Sequence, residues 1–239
     1  MRLAITAAFT SLVCATTMVF SIYVPHTRGF FNIGETMVYT TALLFGPLIG
    51  SFAGGVGSML ADLLLGYSHY APATLIIKGL EGAIVGVLSR KRLKFRSKLQ
   101  WKTFTFALGL VAGVLLSSIG SLYYSGSVEL YLGIPPPQSP TSTLFIPPEF
   151  WYSLGGLVVL LVTLMGFVFE PEFGWLVLAI IVGGLEMVAG YFLYEQFFLG
   201  VAAIAEIPVN IGQMTVGLIV SIPIVRAVWH ALPSFKIPE

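Results

Sequence analysis

Charged side chains lie within long apolar stretches of the sequence, where they could bind a small polar molecule: Asp62, Lys78, Glu81, Glu186, Glu195 and Glu206. A charged group inside a membrane span costs about 2.5–3.5 kcal/mol on insertion scales, so each is a functional hypothesis by default. Lys78 and Glu81 are three residues apart on one helical face, where a mutual ion pair that holds helices together is an equally good interpretation.

A polar stripe runs along the last apolar segment. Its residues follow the spacing i, i+4, i+7 and i+11, which is one face of a helix: Glu206, Asn210, Gln213 and Gly217. A stripe of this kind is not expected to face lipid. It therefore either lines a cavity or hydrogen-bonds neighbouring helices.

Aromatic side chains cluster near the ends of the apolar segments: Phe30, Phe31, Tyr67, Tyr70, Tyr191 and Tyr194. An aromatic belt at the membrane interface explains any one of them. Together with His69, Glu35 and Glu195 at the same level, they equally predict a stacking and hydrogen-bonding pocket. The candidate binding residues are thus Asn32, Glu35, Tyr67, Tyr70, Lys78, Glu81, Glu186, Tyr191, Glu206, Asn210 and Gln213.

The composition predicts an all-α integral membrane protein, because 56% of the 239 residues are hydrophobic, 10% are charged and the mean hydropathy is +0.92. A net charge of +1 gives no basic surface for nucleic acid. The single cysteine, Cys14, forms no internal disulfide and no cysteine-based zinc site. Phosphate-binding, zinc-protease and serine-hydrolase motifs are absent, so we expect no catalysis, cofactor or metal.

Eight apolar segments are predicted to be transmembrane helices of one domain over residues 1–239. The first, from Leu3, exceeds a signal-peptide core and is interpreted as a retained helix. Gly46 to Gly50 supply a turn that divides residues 36–66, and the Pro-rich segment 125–150 is expected to be an extended external loop. The predicted helices are 3–24, 36–48, 51–66, 72–88, 104–123, 151–169, 174–197 and 203–230.

Seven of the twelve basic residues lie between Arg90 and Lys102, which places that connection in the cytoplasm by the positive-inside rule. Counting helices from it puts residues 25–35 and 125–150 outside and both termini inside. Small residues recur every fourth position along the first helix, a pattern that permits close helix approach: Ala7, Ser11 and Ala15. This face either packs within the chain or docks another membrane subunit.

Two blocks of sequence carry a resemblance to a known family. The first block contains Phe31–Glu35, Leu43–Gly50, Ala61–Tyr67, Ala71–Thr74 and Lys78–Gly82. The second contains Val188–Phe192, Ala205–Asn210 and Gly217. In their order and spacing these blocks resemble the S components of energy-coupling-factor (ECF) vitamin transporters of the riboflavin type. Members of this family have six helices, so segment 97–173 is interpreted as an insertion with two additional helices.

The resemblance implies a subunit that captures a water-soluble vitamin from outside, in a pocket gated by the loop 25–35. It also implies a membrane coupling (T) subunit, docked on the Ala7, Ser11 and Ala15 face, and two cytoplasmic ATPases, in the plasma membrane of a prokaryote. The substrate-binding subunit itself catalyses no reaction.

Carboxylates, amides and rings suit a flat polar heterocycle that donates hydrogen bonds. Riboflavin fits this description, and so do an aminopyrimidine thiamine precursor and a pyridoxine-like vitamin. The rival hypothesis is an ion-coupled secondary transporter with a relay formed by Asp62, Lys78 and Glu81. A purely structural membrane subunit is the third alternative.

Overall fold

The computed structural model describes residues 2–24, 29–91, 95, 97–123, 125–130 and 142–233. Seven helices in this part of the chain are long and apolar enough to cross a membrane, one fewer than the eight predicted spans, because α2 has only 11 residues. The all-α membrane fold is thereby confirmed. The helices are α1 (Arg2–Val19), α2 (Glu35–Phe45), α3 (Pro47–Leu65), α4 (Ala71–Arg90), α5 (Lys98–Tyr123), α6 (Pro148–Val168), α7 (Pro171–Leu199) and α8 (Glu206–Ala231), the last preceded by a 3₁₀ turn at Gly200–Ala205.

The first helix ends at Val19 and not at residue 24 as expected. The residues that follow form strand β1 (Ser21–Val24), which pairs antiparallel with β2 (Gly29–Asn32). Ile, Tyr and Val favour extended structure, and the hairpin supplies the backbone hydrogen bonds that a continued helix would otherwise provide. Within the predicted gating loop, residues 25–28 lie outside the described part of the chain.

A second antiparallel hairpin occupies the two ends of the Pro-rich segment 125–150. Strand β3 (Gly126–Leu130) pairs with β4 (Ser142–Ile146), so the backbone is extended there as expected. Its central prolines, Pro135 to Pro137 and Pro140, lie outside the described residues.

The chain forms two compact units. The first comprises Met1–Arg92 with Leu176–Glu239, and the second comprises Leu93–Trp175. The second unit coincides within a few residues with the predicted insertion 97–173. The first contains the six-helix core. The assignment of residues 1–239 to one transmembrane domain stays a prediction.

Gly46 alone makes the turn between α2 and α3, with φ at +90°, a conformation that glycine adopts without strain. The predicted turn was longer, but Pro47 starts α3 directly because its fixed φ and missing N–H suit the first position of a helix. The Arg90 guanidinium donates to the carbonyls of Ala42 (3.1 Å) and Leu44 (3.3 Å) and so satisfies the end of α2.

Helices α3 and α4 approach so closely that glycine is required along their contact. A Cβ on Gly55 would lie 2.5 Å from the Leu75 carbonyl oxygen, and a Cβ on Gly82 would overlap the Gly50 backbone. The Gly-rich stretch from Gly54 to Gly57 therefore serves close helix packing.

The second unit is built on the pair α5 and α6. A Cβ on Gly113 would lie 2.6 Å from the Gly155 carbonyl oxygen, so these helices are also in close contact. The buried Trp101 indole donates to the Phe169 carbonyl over 3.0 Å, which ties the start of α5 to the end of α6.

Candidate functional site

The polar stripe of α8 faces the interior of the first unit. Glu206, Asn210 and Gln213 are buried, and a Cβ on Gly217 would lie 2.8 Å from the Tyr39 ring. The 3.6-residue period of the helix puts these four positions on one side, and α2 packs where glycine leaves room. The stripe is thus an interior surface, as its spacing predicted.

A chain of amide hydrogen bonds connects strand β2 to α8. The backbone N–H of Asn32 donates to Gln213 Oε1 (3.1 Å), and the Asn32 side-chain amide donates to the same oxygen. Gln213 in turn donates to Asn210 Oδ1 over 2.7 Å. Asn32 Oδ1 accepts the N–H of Gly34 (2.8 Å), so the amide chain also fixes the turn before α2.

A cavity of about 40 Å³ lies beside this amide chain. Six of the predicted binding residues line it: Asn32, Tyr70, Tyr191, Glu206, Asn210 and Gln213. Six further residues complete the lining: Thr17, Phe30, Ser58, Asp62, Thr74 and Glu195. The space holds a few water molecules, whereas pockets for drug-sized ligands measure about 300–1,000 Å³. A molecule of that size can therefore enter only if part of the lining moves.

Tyrosines form one wall of the cavity. The Tyr70 hydroxyl donates to Glu195 Oε1 (3.1 Å), the Tyr191 hydroxyl donates to Thr74 Oγ1 (3.0 Å), and the two ring centroids are 6.3 Å apart. Burial, followed by the neighbouring Glu195 carboxylate, raises the pKa of Tyr70 well above its ordinary value. Its phenol consequently stays a donor.

The aromatic wall extends to the rim. Phe30 lies in the cavity lining and contacts Tyr67, with centroids 4.6 Å apart, while Tyr194 donates to the carbonyl of His69. Tyr67 supports the lining through Phe30 and is not itself among the lining residues. The predicted aromatic cluster is thus divided between residues that line the cavity and residues that pack behind it.

An ion network lies behind the cavity. Lys78 donates to Glu35 and to Glu81 Oε2 (3.2 Å), and the Tyr39 hydroxyl donates to Glu81 Oε1 (2.8 Å). Lys78, Glu35 and Glu81 are all buried, and Glu186 on α7 acts on Lys78 and Glu81 electrostatically. None of these charged residues lines the described cavity. The sequence analysis placed them together with the cavity residues, whereas in the structure they lie one layer behind the lining.

Three residues that line the cavity were not singled out from the sequence: Thr17, Ser58 and Thr74. A signal was present, since Ser58 precedes Asp62 by one helical turn and Thr74 precedes Lys78 by one turn. The spacing argument that identified the polar stripe on α8 would also have identified the pairs Ser58–Asp62 on α3 and Thr74–Lys78 on α4. Among the described residues, no group of three His, Cys, Asp or Glu side chains is arranged to hold a metal ion.

The small-residue face of α1 is exposed. Ala7, Ser11 and Ala15 point away from the first unit, while the opposite face packs inward through Thr10, Val13 and Thr17. A Cβ on Gly57 of α3 would lie 2.8 Å from Val13 Cβ, so α1 uses its other face for packing within the chain.

Comparison with known proteins gives the family. Residues 1–167 match the family described as ECF-type riboflavin transporter, S component. An uncharacterized protein of Pyrococcus woesei is 43% identical over 119 residues, which cover 50% of this chain and 73% of the relative. The thiamine precursor transporter HmpT of Lactococcus lactis subsp. cremoris is 27% identical over 127 residues, covering 53% and 71% respectively.

The family consists of transporter components and is not an enzyme class. Seven apolar helices and a buried polar cavity agree with a multi-pass membrane protein that takes up a vitamin-type compound. The chain belongs to the S components of ECF-type riboflavin transporters.

Proposed function

We propose that this chain is the substrate-capture subunit of an ECF-type ABC importer. It binds a water-soluble vitamin or related heterocycle from outside, for uptake powered by partner ATPases. The observation that carries the proposal is the buried cavity lined by carboxylates, amides and tyrosines in a member of this family. Such a lining orients a flat polar ring by stacking and hydrogen bonds.

The ligand contacts are assigned to the six predicted residues that line the cavity. Asn210 and Glu206 present an amide and a carboxylate from α8, and Tyr191 and Tyr70 present rings. The ion network of Glu35, Lys78, Glu81 and Glu186 supports this surface from behind and, in this proposal, holds α2 against α4 without contacting the ligand. Tyr67 supports the rim through Phe30.

The hairpin of β1 and β2 is proposed as the movable part of the lining. It contributes Phe30 and Asn32 to the cavity, and hydrogen bonds from Asn32 to Gln213 attach it to α8. Breaking these bonds frees the amides of Asn32 and Gln213 for a ligand and enlarges the cavity. This supports the expectation that residues 25–35 gate the site.

The exposed face of α1 is proposed to dock the membrane coupling (T) subunit, which joins two cytoplasmic ATPases. Its three small side chains allow a partner helix to approach closely. In the proposed orientation, in the plasma membrane of a prokaryote, the cavity opens outside and the two termini and the basic connection after Arg90 lie in the cytoplasm.

Riboflavin, which the family description names, is the first ligand to test. A thiamine precursor is the second, because the Lactococcus relative carries that name. The purified chain, without partners or ATP, is heated in detergent with a panel of vitamins and precursors. At a hundredfold excess over its Kd, a ligand stabilises the protein by about 2.7 kcal/mol.

The control is Asn210→Ala, which we expect to lose this stabilisation while the unliganded protein stays folded. If the chain alone carried out gradient-driven uptake into liposomes, it would be a secondary transporter and not a capture subunit. A panel without any stabilising compound contradicts capture of a vitamin.

A further inference from the structure

Two carboxylates in the cavity each have one oxygen without a hydrogen-bond partner in the described part of the chain. Asp62 on α3 is 4% exposed and Glu195 on α7 is 1% exposed. Thr74 hydrogen-bonds Asp62, and Tyr70 donates to Glu195 Oε1, which leaves Asp62 Oδ2 and Glu195 Oε2. Both residues line the cavity, and their two unpartnered oxygens are themselves buried, so a ligand reaches these acceptors when the lining moves to admit it.

No basic side chain compensates these carboxylates within the described lining, which also contains Glu206. Lys78 is the buried base nearby, and it is paired with Glu35 and Glu81. Its nitrogen lies 5.5 Å from the centroid of the Tyr191 ring, behind the wall of the cavity. A buried carboxylate without a counter-charge is costly, and a cation that enters the cavity removes that cost.

The tyrosine wall of the cavity provides aromatic rings on which a flat cation can stack. Tyr70 and Tyr191 stand beside the two carboxylates through their hydrogen bonds to Glu195 and Thr74. Cations are attracted to the faces of aromatic rings, and a planar heterocycle stacks on them at the same time. The electrostatics and the shape of the lining therefore select for the same kind of molecule.

We propose that the ligand is an amino-substituted heterocycle that is positively charged when bound, with its ring against Tyr70 and Tyr191 and its N–H groups donating to Asp62 and Glu195. The inference rests on the proposed capture function and narrows it. It places protonated aminopyrimidines and related cationic rings ahead of the neutral riboflavin, and it excludes anionic vitamins.

The test is calorimetric titration of the purified full chain in detergent with four probes: an amino(hydroxymethyl)pyrimidine, its analogue with hydroxyl in place of the amino group, riboflavin and pantothenate. The aminopyrimidine is expected to bind at least about tenfold more tightly than each of the others, because only it supplies a charge-assisted donor. This comparison uses the unmodified protein and so does not depend on the folding of a variant.

Asp62→Asn and Glu195→Gln are each expected to weaken binding of the aminopyrimidine by about ten- to hundredfold. Glu170→Gln is the matched control, since Glu170 is 79% exposed and pairs with Lys98 in the second unit. Its affinity should be unchanged.

Tighter binding of riboflavin or pantothenate overturns the inference and leaves vitamin capture intact. Equal affinity for the amino and hydroxyl analogues overturns it as well. Binding of none of the four, together with no hit in the wider vitamin panel, counts against capture itself.

Discussion

Gln213 on α8 accepts two hydrogen bonds from Asn32, one from its backbone and one from its side chain. The two residues are 181 positions apart, and their contact joins the β1–β2 hairpin to the helix that carries the polar stripe. Because Gln213 also donates to Asn210, which lines the cavity, a substitution at Asn32 is expected to alter the position of the Asn210 side chain as well.

Asn32→Ala is expected to lower the free energy of unfolding by about 1–3 kcal/mol, because the buried Gln213 oxygen loses its side-chain donor. Thermal unfolding in detergent measures the change. Gln196→Ala, on the exposed part of α7, serves as the control and should stay within about 0.5 kcal/mol. In a double-mutant cycle with Gln213→Ala, we expect a coupling energy of about 0.5–3 kcal/mol; strictly additive effects would show that the contact carries no energy.

Lys78→Met is expected to destabilise the protein by about 3–5 kcal/mol, since it leaves Glu35 and Glu81 buried without their cation. The matched control is Lys98→Met, because Lys98 forms an exposed pair with Glu170 at 3.6 Å that contributes at most about 1 kcal/mol. Adding Glu35→Gln to Lys78→Met should recover part of the loss. If Lys78→Met abolished ligand binding at unchanged stability, the ion network would instead be part of the binding surface.

Gly82→Ala is expected to cost about 1–3 kcal/mol of unfolding free energy, because its Cβ overlaps the Gly50 backbone at the contact of α3 and α4. Gly156→Ala on α6 is the matched change in open space and should stabilise the protein by up to about 1 kcal/mol through helix propensity. Thermal unfolding of the two variants side by side checks the close approach. A neutral Gly82→Ala would mean that the two helices are further apart.

Ala7→Leu with Ser11→Leu is expected to weaken association with the coupling subunit by about tenfold or more, because bulky side chains prevent close helix approach. Co-purification of the complex gives the readout, and ligand binding by the isolated chain should not change. Ala107→Leu, at an exposed position of α5, controls for added apolar surface. Unchanged association of the double variant would place the partner on another face.

The sequence predicted the inward face of α8 correctly because helical spacing alone determines which residues share a side. Glu206, Asn210 and Gln213 needed no tertiary information to be grouped, and all three line the cavity. The small-residue face of α1 was grouped in the same way, and the structure leaves it exposed.

The spacing of residues along a helix does not show how deep each side chain lies, and this explains why some predicted binding residues do not line the described cavity. Lys78 and Glu81 share a face of α4 with Thr74, yet only Thr74 lines the cavity. Which of them meets α2 depends on where Glu35 lies along α4, a relation between helices that the sequence does not contain. The early end of α1 has another cause, since Ser21 to Val24 find a strand partner only after the chain has turned back.

The shortness of α2 has a geometric consequence. Its 11 residues span about 16 Å, whereas the 20 residues of α4 span about 30 Å. One end of α2 is held by Arg90 at the last turn of α4, and the other end, at Glu35, meets Lys78. Glu35 therefore lies at the level of Lys78, which is about 10 Å along the axis of α4 from the first residue of that helix.

At the level of the turns that α2 lacks, two four-residue strands take the place of helix. Phe30 and Asn32 of these strands line the cavity, so the space for a ligand depends on where the hairpin lies. Substitutions in those strands away from Asn32 can therefore change which molecule is accepted while the contacts between helices stay in place.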